Sequence, residues 1–139
     1  MNEKIVRFKL TWHNWGLIGP NSVHKEEVVL HRNSSNLIYK KLAGGKRVLL
    51  NAKVDVESYY INKFFDFLDS IYNDWETDYS VPVCDGSAWD IKLTDLARNN
   101  IQIRGTLEYP PHGEQIETFI RQFIDDALCE IQPRLFGCR

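Results

Sequence analysis

The sequence predicts an α+β fold: an antiparallel sheet of about six strands, in the order β-β-β-β-α-β-β-α, with two helices packed on one face. Three observations predict it. Residues 4–54 hold short stretches of alternating apolar and polar side chains joined by brief turn clusters, which favours an antiparallel meander. Two later stretches carry apolar residues at three- and four-residue spacing, the mark of helices with one apolar stripe. Between them lies a second pair of alternating stretches, which reads as a β-hairpin. Two one-faced helices need one sheet face to cover.

The elements follow in order. In residues 4–12, Val6, Phe8, Leu10 and Trp12 alternate with Arg7, Lys9 and Thr11, the period of a strand with one buried face. His13 to Ser22 holds Gly16, Gly19, Pro20 and Asn21 and reads as a loop, although Trp15, Leu17 and Ile18 within it are apolar. Residues 24–31 form a second strand around Val28, Val29 and Leu30, and the Asn33-Ser34-Ser35-Asn36 cluster turns into a third over Leu37–Leu42. Ala43-Gly44-Gly45-Lys46 is the next turn. Val48, Leu50, Ala52 and Val54 alternate in a fourth strand.

The period then changes. From Ser58 to Tyr72 the apolar positions Tyr60, Ile61, Phe64, Phe65, Leu68, Ile71 and Tyr72 make a wide helical stripe, with Asp55 or Ser58 as the expected N-cap. The acidic stretch 73–80 reads as a loop anchored by Trp75 or Tyr79. In the hairpin over residues 81–110, Asp85-Gly86 opens the first strand, which carries Trp89, Ile91 and Leu93. Asn99-Asn100 suits the return, because Asn tolerates positive φ, and Ile101 and Ile103 lie on the second strand. Gly105 inside that strand predicts a bulge or a large side chain lying across it, with Trp89 the obvious neighbour. The last helix carries Ile116, Phe119, Ile120, Phe123, Ala127 and Leu128 and is stopped by Pro133. Trp89 is expected to sit between the two helices and the sheet.

Length and composition bound the function. A chain of 139 residues fits a single domain. Its net charge of −2 is not that of a nonspecific nucleic-acid binder, so no nucleic-acid partner is expected, and Lys40, Lys41, Lys46, Arg47 and Lys53 form only a weak basic cluster. No apolar run reaches the roughly 20 residues that cross a bilayer, so no membrane association is expected. The start MNEKIVRFKLTW has no apolar signal core. Cys84, Cys129 and Cys138 are odd in number and form no C-x-x-C pair, which favours free thiols and a cytoplasmic location.

Cys84-Asp85-Gly86-x-x-Trp89, then Gly105 and Tyr109-Pro110, then an amphipathic helix, resembles small uncharacterised bacterial cytoplasmic proteins. In these a D-G-x-x-W strand precedes a G-x-x-x-Y-P strand end. The resemblance covers residues 81–128. It implies a bacterial α+β domain with no established activity, and some similar proteins look like immunity or partner-binding proteins.

The motif inventory points away from catalysis. The chain has no P-loop, G-x-G-x-x-G, H-E-x-x-H or G-x-S-x-G, and its four histidines have no ligand-like spacing with the cysteines, so neither metal nor cofactor is expected and no catalytic residue is assigned. A Cys84 nucleophile would need a base or a positive field, and Asp85 has the wrong charge. The sequence therefore favours a noncatalytic domain that binds a protein partner or forms a homodimer, through Trp15, Trp75 and Tyr79 or an open sheet edge. The alternative is an enzyme or small-ligand binder with Cys84, Asp85 and Trp89 beside a histidine at the sheet end.

Overall fold

In the computed structural model the described residues are 3–14, 23–44, 47–80, 87–106 and 108–125. The elements are β1 (Ile5–Asn14), β2 (Lys25–His31), β3 (Asn36–Leu42), β4 (Val48–Asp55), α1 (Ser58–Ile71), β5 (Asp78–Tyr79), β6 (Ser87–Asp95), β7 (Asn100–Gly105) and α2 (Gly113–Asp125). They build a 7-stranded sheet in the order β4-β3-β2-β1-β6-β7-β5. All neighbours are antiparallel except β5 and β7. The extra strand comes from the stretch read as a loop: Asp78 and Tyr79 run parallel to Arg104 and Gly105. Two residues are too few to show a period of two, so only the tertiary pairing reveals them.

The register explains the alternation. Cross-strand partners share a face, so the inward positions form rows across the sheet. One row runs Ile101, Leu93, Phe8, Leu30, Leu37, Val54; the next runs Ile103, Ile91, Leu10, Val28, Tyr39, Ala52. Both rows are almost wholly apolar, and all of their residues are buried except Ile101 and Ala52, which are half-buried. The third row, Gly105, Trp89, Trp12, Glu26, Lys41, Leu50, is mixed. Its Glu26 is buried and accepts a 2.5 Å hydrogen bond from the Tyr39 hydroxyl, with Lys41 Nζ at 4.0 Å. Burial, and then the Glu26 charge, push the Tyr39 hydroxyl far above its ordinary pKa.

Both helices lie on this apolar face. Phe64 of α1 meets Phe8 of β1 edge-on at 5.1 Å, and Phe119 of α2 meets Phe64 at 5.7 Å. The i, i+3, i+4 spacing buries Ile61, Phe64, Phe65, Leu68 and Ile71 in α1, and Ile116, Ile120, Phe123 and Ile124 in α2. Arg32, just after β2, docks α1 with charge. Its Nε donates to the Ile5 carbonyl at 2.7 Å, and its Nη atoms donate to Asp66 and Asp69 at 3.0 and 2.6 Å. Asp69 also accepts from the Ile5 backbone N–H at 2.8 Å, and the guanidinium lies 5.2 Å over Phe65.

Three local expectations are corrected. The N-cap of α1 is Glu57, with extended backbone and no side-chain cap bond, instead of Asp55 or Ser58. Tyr60 is 51 % exposed, because the stripe that faces the sheet begins at Ile61. In the β6–β7 return the positive φ falls on Arg98 at 67°, not on Asn99 or Asn100. The turn is organised by Asp95, whose buried carboxylate accepts from the Asn99 N–H at 2.8 Å and from Asn99 Nδ2 at 3.2 Å. That local carboxylate bond fixes the turn more strongly than the left-handed tolerance of Asn. Ile124 also belongs to the buried stripe of α2, while Ala127, Leu128 and Pro133 lie outside the described residues. No helix among the described residues is long and apolar enough to cross a membrane.

Candidate functional site

The residues expected to bind a partner or ligand fall into two groups. Trp15, Cys84 and Asp85 lie outside the described residues. Trp75, Tyr79 and Trp89 are described, and Tyr79 and Trp89 meet at the β7–β5 end of the sheet. Trp89 is fully buried, and its Nε1 donates to the Glu108 carbonyl at 3.0 Å. It stands directly opposite Gly105, where a Cβ would lie 2.5 Å from Trp89 Cζ2 and 3.0 Å from Tyr79 Cβ. Glycine is therefore required here by close approach of the indole. Tyr79 stacks on that indole at 6.2 Å and 27°, and its hydroxyl accepts from the Glu76 N–H at 2.8 Å. Trp75 is half-buried against the core, with Nε1 donating to the Pro111 carbonyl at 2.8 Å. Trp89 is thus held by Tyr79, Gly105 and Glu108, and it belongs to the same core cluster as the buried residues of both helices. These three aromatics are engaged within the fold: Tyr79 fastens the end of residues 73–80 to Trp89 and Gly105, and Trp75 fastens their start to Pro111.

Next to them, on the sheet face away from the helices, a cleft of about 430 Å³ is lined by His13, Asp78, Asp90, Arg104 and Gly105 among others. His13 Nε2 lies 3.9 Å from Asp90 Oδ2, and Arg104 Nε lies 3.6 Å from Asp78 Oδ2. Hydrogen bonds from Ser80, and then the Arg104 charge, hold the Asp78 carboxyl below its ordinary range. His31 and His112 lie elsewhere: His31 is exposed opposite Arg7, and His112 packs its ring 6.3 Å from Phe67. Among the described residues no three His, Cys, Asp or Glu side chains are grouped to hold a metal ion.

The basic cluster read from the sequence is divided by the pleat. Lys40 and Lys53 point away from the helices, whereas Lys41 shares the helix-covered face with Glu26. The outer face is nonetheless rich in cations, for Arg7, Lys9, Lys25, Lys92 and Arg104 also lie on it by register. Glu27 sits among them, 3.2 Å from Lys25 and 3.6 Å from Lys9. Burial pushes its carboxyl up, but the Lys25 bond and the charges of Lys9, Lys25 and Lys40 outweigh this and hold it below the ordinary range.

The surface with unused binding capacity is at the opposite edge. Among the described residues β4 pairs only with β3. The Val56 N–H donates to the Ser35 carbonyl at 3.0 Å, which sets the phase of the ladder. By the alternation of an antiparallel pair, Leu50, Ala52 and Val54 direct their backbone groups to β3, and Asn51, Lys53 and Asp55 direct theirs outward. A bulge interrupts the ladder, because Lys41 pairs with Leu50 while Leu42 pairs with Val48, leaving Leu49 as the extra residue. Val48 and Leu49 are exposed at one end of the strand, and Tyr59 and Tyr60 are exposed just beyond the other. These are four of the five large exposed hydrophobic side chains among the described residues; the fifth is Leu96. A shallow cleft of about 530 Å³ lined by Asp55, Val56, Glu57, Tyr60, Gln122 and Phe123 adjoins the second end.

Sequence reading names an open sheet edge as a candidate surface but does not say which strand forms it, for a physical reason. Val48 continues a strand pattern and Tyr60 continues a helical stripe, so both look like core. The one available signal was redundancy: Leu49 breaks the alternation, and Tyr59-Tyr60 widens the stripe beyond what one sheet face can cover. No protein-family model matches the chain, and no curated protein matches its sequence.

Proposed function

We propose that this chain is a noncatalytic domain that binds a protein partner, or another copy of itself, by adding a strand to the β4 edge. The observation that carries the reading is the coincidence of an eight-residue edge strand with exposed apolar residues at both of its ends. Outward backbone groups supply hydrogen bonds to any extended segment, and the flanking apolar side chains supply the desolvation that makes such pairing stable. A bacterial cytoplasmic immunity role is the form this takes if the resemblance of residues 81–128 holds. The test is co-purification of the product of the adjacent gene with the wild-type protein, with Leu49→Lys and with Trp75→Phe. Loss with Leu49→Lys and retention with Trp75→Phe supports the edge. Equal retention by all three, together with sedimentation unchanged by Leu49→Lys, sinks it.

A second reading places a small polar ligand in the cleft beside β7. It is favoured by one observation: Asp90 Oδ1 is buried with no hydrogen-bond partner among the described residues. Cys84 and Asp85, just before β6, would belong to it. Alkylation of Cys84 at neutral pH no faster than that of Cys129 and Cys138 would remove its nucleophile.

A further inference from the structure

The β4 edge is self-complementary, and we infer that its occupant is a second copy of this chain, paired antiparallel about a two-fold axis that passes through Val54. This inference rests on the edge-pairing reading above and names its partner. Beyond the Leu49 bulge the regular edge runs from Leu50 to Val56, with Asn51, Lys53 and Asp55 presenting their N–H and C=O groups outward. In an antiparallel two-fold pair one residue faces its own counterpart, and that choice fixes every other opposition.

Charge selects among the possible axes. An axis at Lys53 sets lysine against lysine, and an axis at Asp55 sets carboxylate against carboxylate, both unfavourable when directly opposite. An axis at Ala52 sets Lys53 against Asn51, with no charge gain. An axis at Val54 sets Lys53 of each copy against Asp55 of the other, so the ion pair is made twice. These residues alternate with Ala52 and Val54 along the strand, so the ion pairs lie on the sheet face away from the helices. On the helix-covered face Val54 meets Val54 of the partner copy, and Ala52 meets Val56.

The apolar ends obey the same symmetry. The axis runs the two strands in opposite directions, so Val48 and Leu49 of one copy extend toward the start of α1 in the other. There Tyr59 and Tyr60 stand exposed, in edge contact with each other at 5.3 Å. Each copy carries both halves of the contact, which is what a closed dimer requires. The result is one continuous sheet across two copies, with β4 converted from an edge into an interior strand.

Sedimentation equilibrium and chemical denaturation of the full chain test this. The wild type is expected to be dimeric at protein concentrations of about 100 μM, an association of about 5 kcal/mol or more. Asn51→Pro removes an outward N–H without touching the β3 ladder and is expected to give a folded monomer. Lys53→Asp and Asp55→Lys each set like charges in opposition twice and are expected to weaken the dimer about tenfold, while the double exchange restores it. A monomeric wild type at that concentration overturns the second-copy inference, leaving the edge reading to the adjacent-gene assay. A dimer broken by Asn51→Pro but not restored by the double exchange overturns the Val54 axis and keeps the edge. A dimer untouched by folded Asn51→Pro, Lys53→Asp and Asp55→Lys overturns the inference and the self-association half of the edge reading together.

Discussion

The two edges of the sheet both have aromatic residues nearby and are finished in opposite ways. At one edge, β5 is two residues long, parallel to β7, and fastened by side chains. Tyr79 stacks on Trp89, Gly105 leaves room for the indole, and Trp75 bonds Pro111. At the other edge, β4 is eight residues long, and its exposed neighbours Val48, Leu49, Tyr59 and Tyr60 have no comparable core to fold onto. Among the described residues its protective devices are the charges of Lys53 and Asp55 and the bulge at Leu49. Both edges have aromatic residues nearby. The difference is whether a vacancy for them exists in the core, and Gly105 makes that vacancy at one edge alone.

The comparison can be broken most severely at the closed edge. Trp89→Ala empties the space between Tyr79 and Gly105 and is expected to cost about 3–5 kcal/mol in urea denaturation. A cost under about 1 kcal/mol would mean the corner is not packed as described. Gly105→Ala forces a Cβ against the indole and is expected to cost about 1–3 kcal/mol, and less in a Trp89→Phe background, where the obstructing ring atoms are gone. Strict additivity in that cycle would separate Gly105 from Trp89.

Smaller effects sharpen the contrast. Trp75→Phe keeps the aromatic packing and deletes the hydrogen bond to Pro111, for an expected loss of about 1 kcal/mol. At the open edge, Leu49→Lys replaces an exposed apolar side chain and is expected to change monomer stability by no more than about 0.5 kcal/mol. Apolar residues at the two edges should therefore differ several-fold in their stability cost.

The weakest expected effect is a pH dependence on the outer face. The Glu27 carboxyl is held below its ordinary range in the folded protein, so it contributes stability above about pH 4.5 that is lost as pH falls through the folded value. The His31 imidazole is also held low, by burial and then by Arg7, so the folded form resists its protonation and stability begins to fall below about pH 6.5. After solvent screening each contributes no more than about 1 kcal/mol. Glu27→Gln and His31→Gln should each flatten its own part of the stability profile between pH 3 and 7, and unchanged profiles would show that these lysine and arginine neighbours are too well solvated to matter.

Much of the fold was legible because it is written in local periods. Phe8, Leu10 and Trp12 share a face by a period of two, and Ile61, Phe64, Phe65 and Leu68 share one by a period near 3.6, whatever lies opposite. The Gly105–Trp89 contact was legible too, because a glycine inside an apolar strand asks for a bulky neighbour. The candidate site was much less legible. Glu26 carries no local sign of burial, since its environment is made by Tyr39 thirteen residues on. Asp78 and Tyr79 become a strand only because Arg104 and Gly105 lie beside them.

By itself the sequence determined which of the longer stretches are extended, which are helical and which side of each is apolar, because backbone sterics and side-chain spacing act over a few residues. The tertiary structure alone decided which apolar residues found a place inside. Val54 is covered and Val48, six residues away, is not; Ile61 is buried and Tyr60 is exposed. A helix or strand offers a stripe, and burial depends on the width of the surface that meets it. That width is fixed by pairings between residues far apart in the chain, and at β4 it leaves apolar side chains exposed.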